Sequence, residues 1–202
     1  DMVINQALQT AGIELSDIDA FAATAGPGLI GGVAVGTVTA KALAAERQRP
    51  YYAVNHLEGH ALSARLADSI EFPYLLLLVS GGHTQLLAVA GPGRYHRYGT
   101  TMDDAAGEAF DKCAKIMGLG YPGGPAIEDA ARQGDAKAIA LPRPLQGADH
   151  CHFSFSGLKT ALANRLKQLG GVEQAPLHDL AASLQAAIAD CLADRSQRAM
   201  QQ

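Results

Sequence analysis

Tyr74-Leu75-Leu76-Leu77-Leu78-Val79-Ser80-Gly81-Gly82-His83-Thr84 is the stretch whose reading decides the fold. Its six-residue apolar run suits a strand covered on both faces. Ser80-Gly81-Gly82 then turns the chain into a second strand over 83–90, and Gly91-Pro92-Gly93 leads into a third over 94–98. Upstream, an apolar run over 18–24 reads as a buried strand. Ala25-Gly26-Pro27-Gly28 turns it into a small-residue helix over about 31–47, stopped by Pro50. That helix suits either a close-packed interface or a core position. A short strand over 51–54 follows, and Asn55 is a good N-cap for a helix running to about Leu66. Strand–helix alternation followed by an antiparallel set makes this an α/β chain. Further on, Ala105, Ala106, Ala109, Phe110, Cys113, Ala114 and Met117 mark one helix face over 103–117, with Glu108, Asp111, Lys112 and Lys115 on the other. Tyr121-Pro122-Gly123-Gly124-Pro125 breaks it, and helices are expected over 126–132, 157–169 and 179–200.

With 48% hydrophobic and 18% charged residues in 202, the chain can bury a real core, so disorder is excluded as an overall reading. No stretch reaches the roughly 20 apolar residues of a membrane span, and the expectation is a soluble cytoplasmic protein without membrane contact. Both ends fall inside helical patterns, as expected of a segment of a longer protein. Cys113, Cys151 and Cys191 lack disulfide or metal-ligand spacing and read as reduced thiols. The net charge of −4 argues against coating nucleic acid by electrostatics alone. Residues 91–170 nevertheless carry 10 basic against 8 acidic side chains, so a polyanion would meet that third. The other reading is that Arg94, Arg97, Lys112, Lys115, Arg132 and Lys159 solvate helices.

In Asn55-His56-Leu57-Glu58-Gly59-His60 the histidines stand at i and i+4, on one helix face, where two imidazoles can share a metal ion or sit partly buried. The His-x-x-x-His spacing resembles that of zinc metalloproteases. Those carry Glu directly after the first histidine, whereas Glu58 is at i+2, about 200° around the helix, and poorly placed as a base. The turn at Ser80-Gly81-Gly82 offers adjacent backbone N–H groups to a phosphate, with Ser80 and Thr84 as further donors, or it is a plain hairpin. Asp111 is placed to accept from ribose hydroxyls or to pair with Lys115 one turn on. Gly123-Gly124 permits close backbone approach to a flat ligand, or simply breaks a helix.

Residues 55–60, 78–84, 103–112, 121–125 and 153–160 together resemble the TsaD family, once described as glycoprotein endopeptidases and understood as tRNA threonylcarbamoyladenosine transferases. The resemblance covers nearly the whole chain. It implies an actin-like ATPase fold (ASKHA, ribonuclease H-like) with two lobes, incomplete at both ends. Residues 1–72 would be the remainder of the first lobe and 73–202 the second. It further implies that Leu78, Val79, Ser80, Gly81 and Gly82 form the second phosphate hairpin, that Asp111 and Gly124 bind nucleotide, and that His56 and His60 are two ligands of an iron or zinc ion. The family's third ligand, an aspartate, and a nucleotide-contacting asparagine would follow residue 202, and its first phosphate hairpin would precede residue 1. Thr100 departs from the Glu of many relatives. The implied activity is an acyltransferase one: the threonylcarbamoyl group passes from threonylcarbamoyl-AMP to N6 of adenosine 37 in tRNAs reading codons that begin with A. ATP or AMP are further nucleotide ligands. Implied partners are tRNA and, in bacteria, a TsaB-like paralogue and a TsaE-like ATPase. A non-catalytic scaffold subunit and a metalloprotease are the rival readings.

Overall fold

The computed structural model describes residues 2–202, which divide into two units, one running to Ser69 and the other spanning Ile70–Gln202. In the first unit α1 (Met2–Ala11) is followed by β1 (Phe21–Gly26), α2 (Ile30–Arg47), β2 (Tyr51–Asn55) and α3 (His56–Ala67). β1 and β2 pair in parallel, Phe21 opposite Tyr51 through Gly26 opposite Asn55, with α2 as the crossover. α2 ends before Pro50 is reached. Gln48 takes a left-handed conformation at φ 52° and returns its N–H to Ala44 and Ala45, the backbone form of a helix stop. Two expectations fail in this unit. β1 is half-exposed rather than buried, and α2 is not core, since Ala44 is its one buried residue while Val35 and Val38 stay open. A two-stranded sheet covers one side of a helix and no more.

The second unit opens with β3 (Tyr74–Val79), β4 (Thr84–Gly91) and β5 (Arg94–Thr100) in antiparallel order, Val79 opposite Thr84 and Gly91 opposite Arg94. β3 is an edge of this three-stranded sheet. Its expected cover on both faces is absent, for Leu78 is buried but Leu77 and Val79 are 38% and 43% exposed. α4 (Ala106–Ile116), α5 (Gly123–Ala131), α6 (Ser156–Gln168) and α7 (Leu177–Met200) follow. α4 buries the expected face through Ala106, Ala109, Cys113 and Ala114. The Tyr-Pro-Gly-Gly-Pro segment does not merely break a helix; it starts α5. Pro122 caps that helix and Pro125 lies in its first turn, where a missing N–H costs nothing. The core joins these faces to Leu158, Leu162, Leu180, Leu184, Ile188 and the stacked rings of Phe153 and Phe155. Burial pushes the Cys113 thiol up to about 12 and that of Cys191 up to about 11, so both stay protonated and unreactive. Among the described residues no helix is long and apolar enough to cross a membrane.

Residues 132–155 lack helix and are tied instead to one polar stripe of α7. Asp179 accepts from Asp135 N–H, Ser183 from Ile139 N–H and Asp194 from Gly147 N–H, while Arg143 pairs with Asp190 at 2.8 Å. Arg195, 2% exposed, donates to the Ala148 and His150 carbonyls and to Asp194. The segment thus arrives beside β5, where Phe153 N–H reaches Thr100 O and Met102 N–H reaches Phe153 O. Asp103 then anchors the start of α6. Its carboxylate accepts from the Ser154 and Ser156 hydroxyls and from the Phe155 and Ser156 N–H groups. Partial burial disfavours the charged carboxylate, but these four donors outweigh it and hold the group below its usual 3.8.

Asp103→Ala is expected to lower unfolding free energy by about 1–2 kcal/mol, the range of a lost helix cap on a carboxylate that solvent screens. A depressed pKa places this stabilisation above the usual carboxylate range and removes it as pH falls below about 4. Urea titrations at neutral pH and near pH ~3 should show a gap between wild type and variant that shrinks in acid; a gap independent of pH would overturn the assignment.

Candidate functional site

Thr84 opens β4 and is fully buried, which corrects its expected role as a surface donor. Its hydroxyl accepts the Ala106 N–H at 2.9 Å and so caps α4 from a residue 22 positions earlier. The cap brings the first turn of α4 onto the β3–β4 turn. Gly107 N–H reaches Ser80 O at 3.3 Å, and a Cβ on Gly107 would lie 2.8 Å from that oxygen and from Gly81 Cα. Only glycine permits this approach. Within the turn, Ser80 N–H donates to His83 O, and the Ser80 hydroxyl accepts from Gly82 and His83 N–H at 3.3 and 3.0 Å. Among the described residues, Gly81 N–H and the Ser80 hydroxyl proton remain uncommitted, and Gly81 and Gly82 are exposed. Leu78 is in the core, so any contact it makes with a ligand is through its main chain; Val79 is open.

One turn beyond Gly107, about 6 Å along α4, stands Asp111. It is not paired with Lys115. Its Oδ1 accepts the Gly123 N–H at 2.8 Å, and a Cβ on Gly123 would meet Asp111 Cα at 2.5 Å. Gly123 is therefore the crowded glycine of the pair, while Gly124 has open space where its Cβ would be. Asp111, Lys112, Lys115, Leu119 and Tyr121 line a cavity of about 420 Å³. Lys112 is held by Asp104 at 2.6 Å and Glu108 at 2.9 Å, and these bonds push its ammonium up to about 12. Its charge is already neutralised. Hairpin, aspartate and glycine loop, scattered over 45 positions of sequence, thus meet along α4.

His56 and His60 lie on the first turns of α3, whose start is fixed by Asn55 Oδ1 accepting from Leu57 and Glu58 N–H at 2.9 and 3.3 Å. The two Nε2 atoms are 3.2 Å apart and exposed. Nitrogens at that separation, each about 2.0–2.1 Å from a zinc ion, subtend about 100° at the metal, near the tetrahedral angle. The pair fits one edge of a metal site. Among the described residues no group of three or more His, Cys, Asp or Glu side chains is placed to hold a metal.

Sequence reasoning missed Gly107, Asp103 and the inward role of Thr84. A glycine inside a helical pattern was the available signal for Gly107. For Asp103 and Thr84 the partners lie 51–53 and 22 residues away, and no local pattern encodes them.

A family model described as TsaD, tRNA N6-adenosine threonylcarbamoyltransferase, matches residues 1–202. A tRNA N6-adenosine threonylcarbamoyltransferase of Brucella suis is 60% identical over 201 residues, covering all of this chain and 56% of that protein. One from Brucella abortus is 59% identical over the same span. The chain spans about half the length of the curated relatives it matches. The solved structure of YeaZ from Pseudomonas aeruginosa aligns over 46% of each chain at 26% identity with a TM-score of 0.37, too partial a superposition to carry an inference.

Gly107→Ala is expected to destabilise the protein by about 1–3 kcal/mol, because overpacking at the turn exceeds the helix propensity gained. Amide exchange over residues 80–84 should quicken with it. Gly124→Ala should stay within about 0.5 kcal/mol of wild type. Equal effects at both positions would mean that the close approach is not what requires Gly107.

Proposed function

The chain belongs to the TsaD family, and from that membership and the arrangement along α4 we propose that it forms part of an enzyme transferring a threonylcarbamoyl group from threonylcarbamoyl-AMP to N6 of adenosine 37 in tRNA. An α/β chain with the actin-like fold of that family suits this chemistry. The observation that carries the reading is the convergence on α4, where Gly107 holds the Ser80–Gly82 turn and Asp111 holds the start of α5.

The turn would grip the adenylate phosphate through Gly81 N–H and the Ser80 hydroxyl, donors fixed before the ligand arrives. Asp111 keeps a second oxygen for a ribose hydroxyl, and Gly124 lets the start of α5 approach the nucleoside. An iron or zinc ion held by His56 and His60 would supply a Lewis acid for an acyl carbonyl. Adenosine N6 is a weak nucleophile, so a fixed adenylate counts for more than a strong base. The same reading takes ATP or AMP as further nucleotide ligands, tRNA as the acceptor, and a TsaB-like paralogue and a TsaE-like ATPase as bacterial partners.

In the full-length protein His56→Ala and His60→Ala should each lower bound metal, read by elemental analysis, together with tRNA modification. Full metal stoichiometry in both variants would remove the ligand assignment. Asp111→Ala should weaken AMP binding about tenfold or more, by loss of a charged acceptor, with metal content unchanged. A calorimetric titration returning wild-type affinity would exclude Asp111 from the nucleotide site.

A further inference from the structure

Between Glu71 and Asp103 the chain has no acidic residue, its longest such run, although the whole carries a net charge of −4. That run builds β3, β4 and β5, so the whole three-stranded sheet is free of negative side chains. Most arginines elsewhere in this unit have fixed partners: Arg132 sits beside Glu128 and Asp129, Arg143 beside Asp190, and Arg195 beside Asp194. On β5, Arg94, His96 and Arg97 are all exposed. Arg94 spends one N–H on Ala90 O, and the Arg97 guanidinium has no ion pair or hydrogen bond among the described residues. The patch has a defined place relative to the phosphate turn. Arg97 is opposite Leu87 and Arg94 opposite Gly91, so they lie about 10 and about 23 Å along β4 from Thr84. Phe153 meets β5 at Thr100–Thr101, at the end of the strand away from Arg94 and Arg97.

We infer that the Arg94–Arg97 end of β5 is a docking surface for the phosphate backbone of the tRNA substrate. The inference rests on the proposed function and deepens it. A nucleic acid whose reacting base is beside the phosphate turn needs its backbone held one to two nanometres away, and arginines without a carboxylate partner, on a sheet without acidic side chains, attract phosphates without reading sequence. Arg94 and Arg97 position the substrate; they do not touch the reacting atoms.

The test uses full-length protein and unmodified tRNA, with wild type, Arg94→Ala/Arg97→Ala and Arg94→Lys/Arg97→Lys compared. The alanine pair should weaken tRNA binding roughly two- to tenfold and flatten the dependence of log affinity on log salt by about 0.7–0.9 for each phosphate no longer neutralised. The KM for tRNA should rise while kcat and AMP affinity stay at wild type. The lysine pair, keeping the charge, should retain most of the salt slope. Unchanged slope and KM in the alanine pair, with wild-type tRNA binding intact, would overturn the docking surface and leave the enzyme reading standing. Self-association with an unchanged slope would likewise overturn it, assigning the arginines to edge protection. A wild-type protein that neither binds nor modifies tRNA would overturn the proposed function and the inference with it.

Discussion

The approach of α4 to the β3–β4 turn is the constraint on which the second unit depends. A buried hydroxyl at Thr84 takes the Ala106 N–H, and the missing side chain at Gly107 lets the helix backbone sit against Ser80 and Gly81. Each group would be costly without the other: a buried hydroxyl lacking a partner, or a helix start lacking a cap, costs about 1–3 kcal/mol. Together they fix the angle at which α4 leaves the sheet. Every later feature of the candidate nucleotide site is then measured along that helix. Asp111 follows one turn after Gly107, and its oxygen settles where α5 begins.

A second polar framework serves the same end from the other side of the core. Residues 132–155 have no ladder or helix to satisfy their backbone groups, and a buried backbone group left unpaired is expensive. α7 answers with Asp179, Ser183, Asp190, Asp194, Arg195 and Arg198, whose spacing keeps most of them along one stripe. Arg195 is the extreme case. Its guanidinium is buried, which is tolerable because two carbonyls and Asp194 share it. The segment delivered this way places Phe153 against β5 and Ser154 and Ser156 against Asp103, so α6 starts at a defined point.

What the sequence made legible was whatever repeats over a few residues. The turn at Ser80, the N-cap at Asn55, the apolar face of α4 and the i, i+4 histidines are local patterns, and each element stands within a few residues of its expected place. Burial was less legible, because it depends on what lies opposite. An apolar run reads the same at a sheet edge as at a sheet centre, and those of β1 and β3 both proved half-open. Least visible were interactions whose two halves are far apart in sequence. The polar stripe of α7 had the right period, yet a stripe of charges beside an apolar face reads equally well as a solvated surface. The Gly-Gly pair shows the limit of reasoning by residue type: type alone makes the two glycines equivalent, the family resemblance points to Gly124 as the binding one, and packing crowds Gly123 against Asp111 while Gly124 keeps open space.

The two candidate sites consequently depend on different scales of structure. The histidine pair needs only the first turns of α3, since the separation of its nitrogens is a property of the helix and of the Asn55 cap that stops its end from fraying. Little tertiary support is engaged there, and Ala61 is the one buried residue of that helix. The nucleotide residues have no such local geometry. They come together only once Thr84, Gly107 and Gly123 have brought three chain segments against one another, so loosening the core around α4 disperses them while the histidine spacing survives. A candidate metal edge built on local helix geometry and a candidate phosphate grip built on long-range packing should therefore be lost at different stages of unfolding.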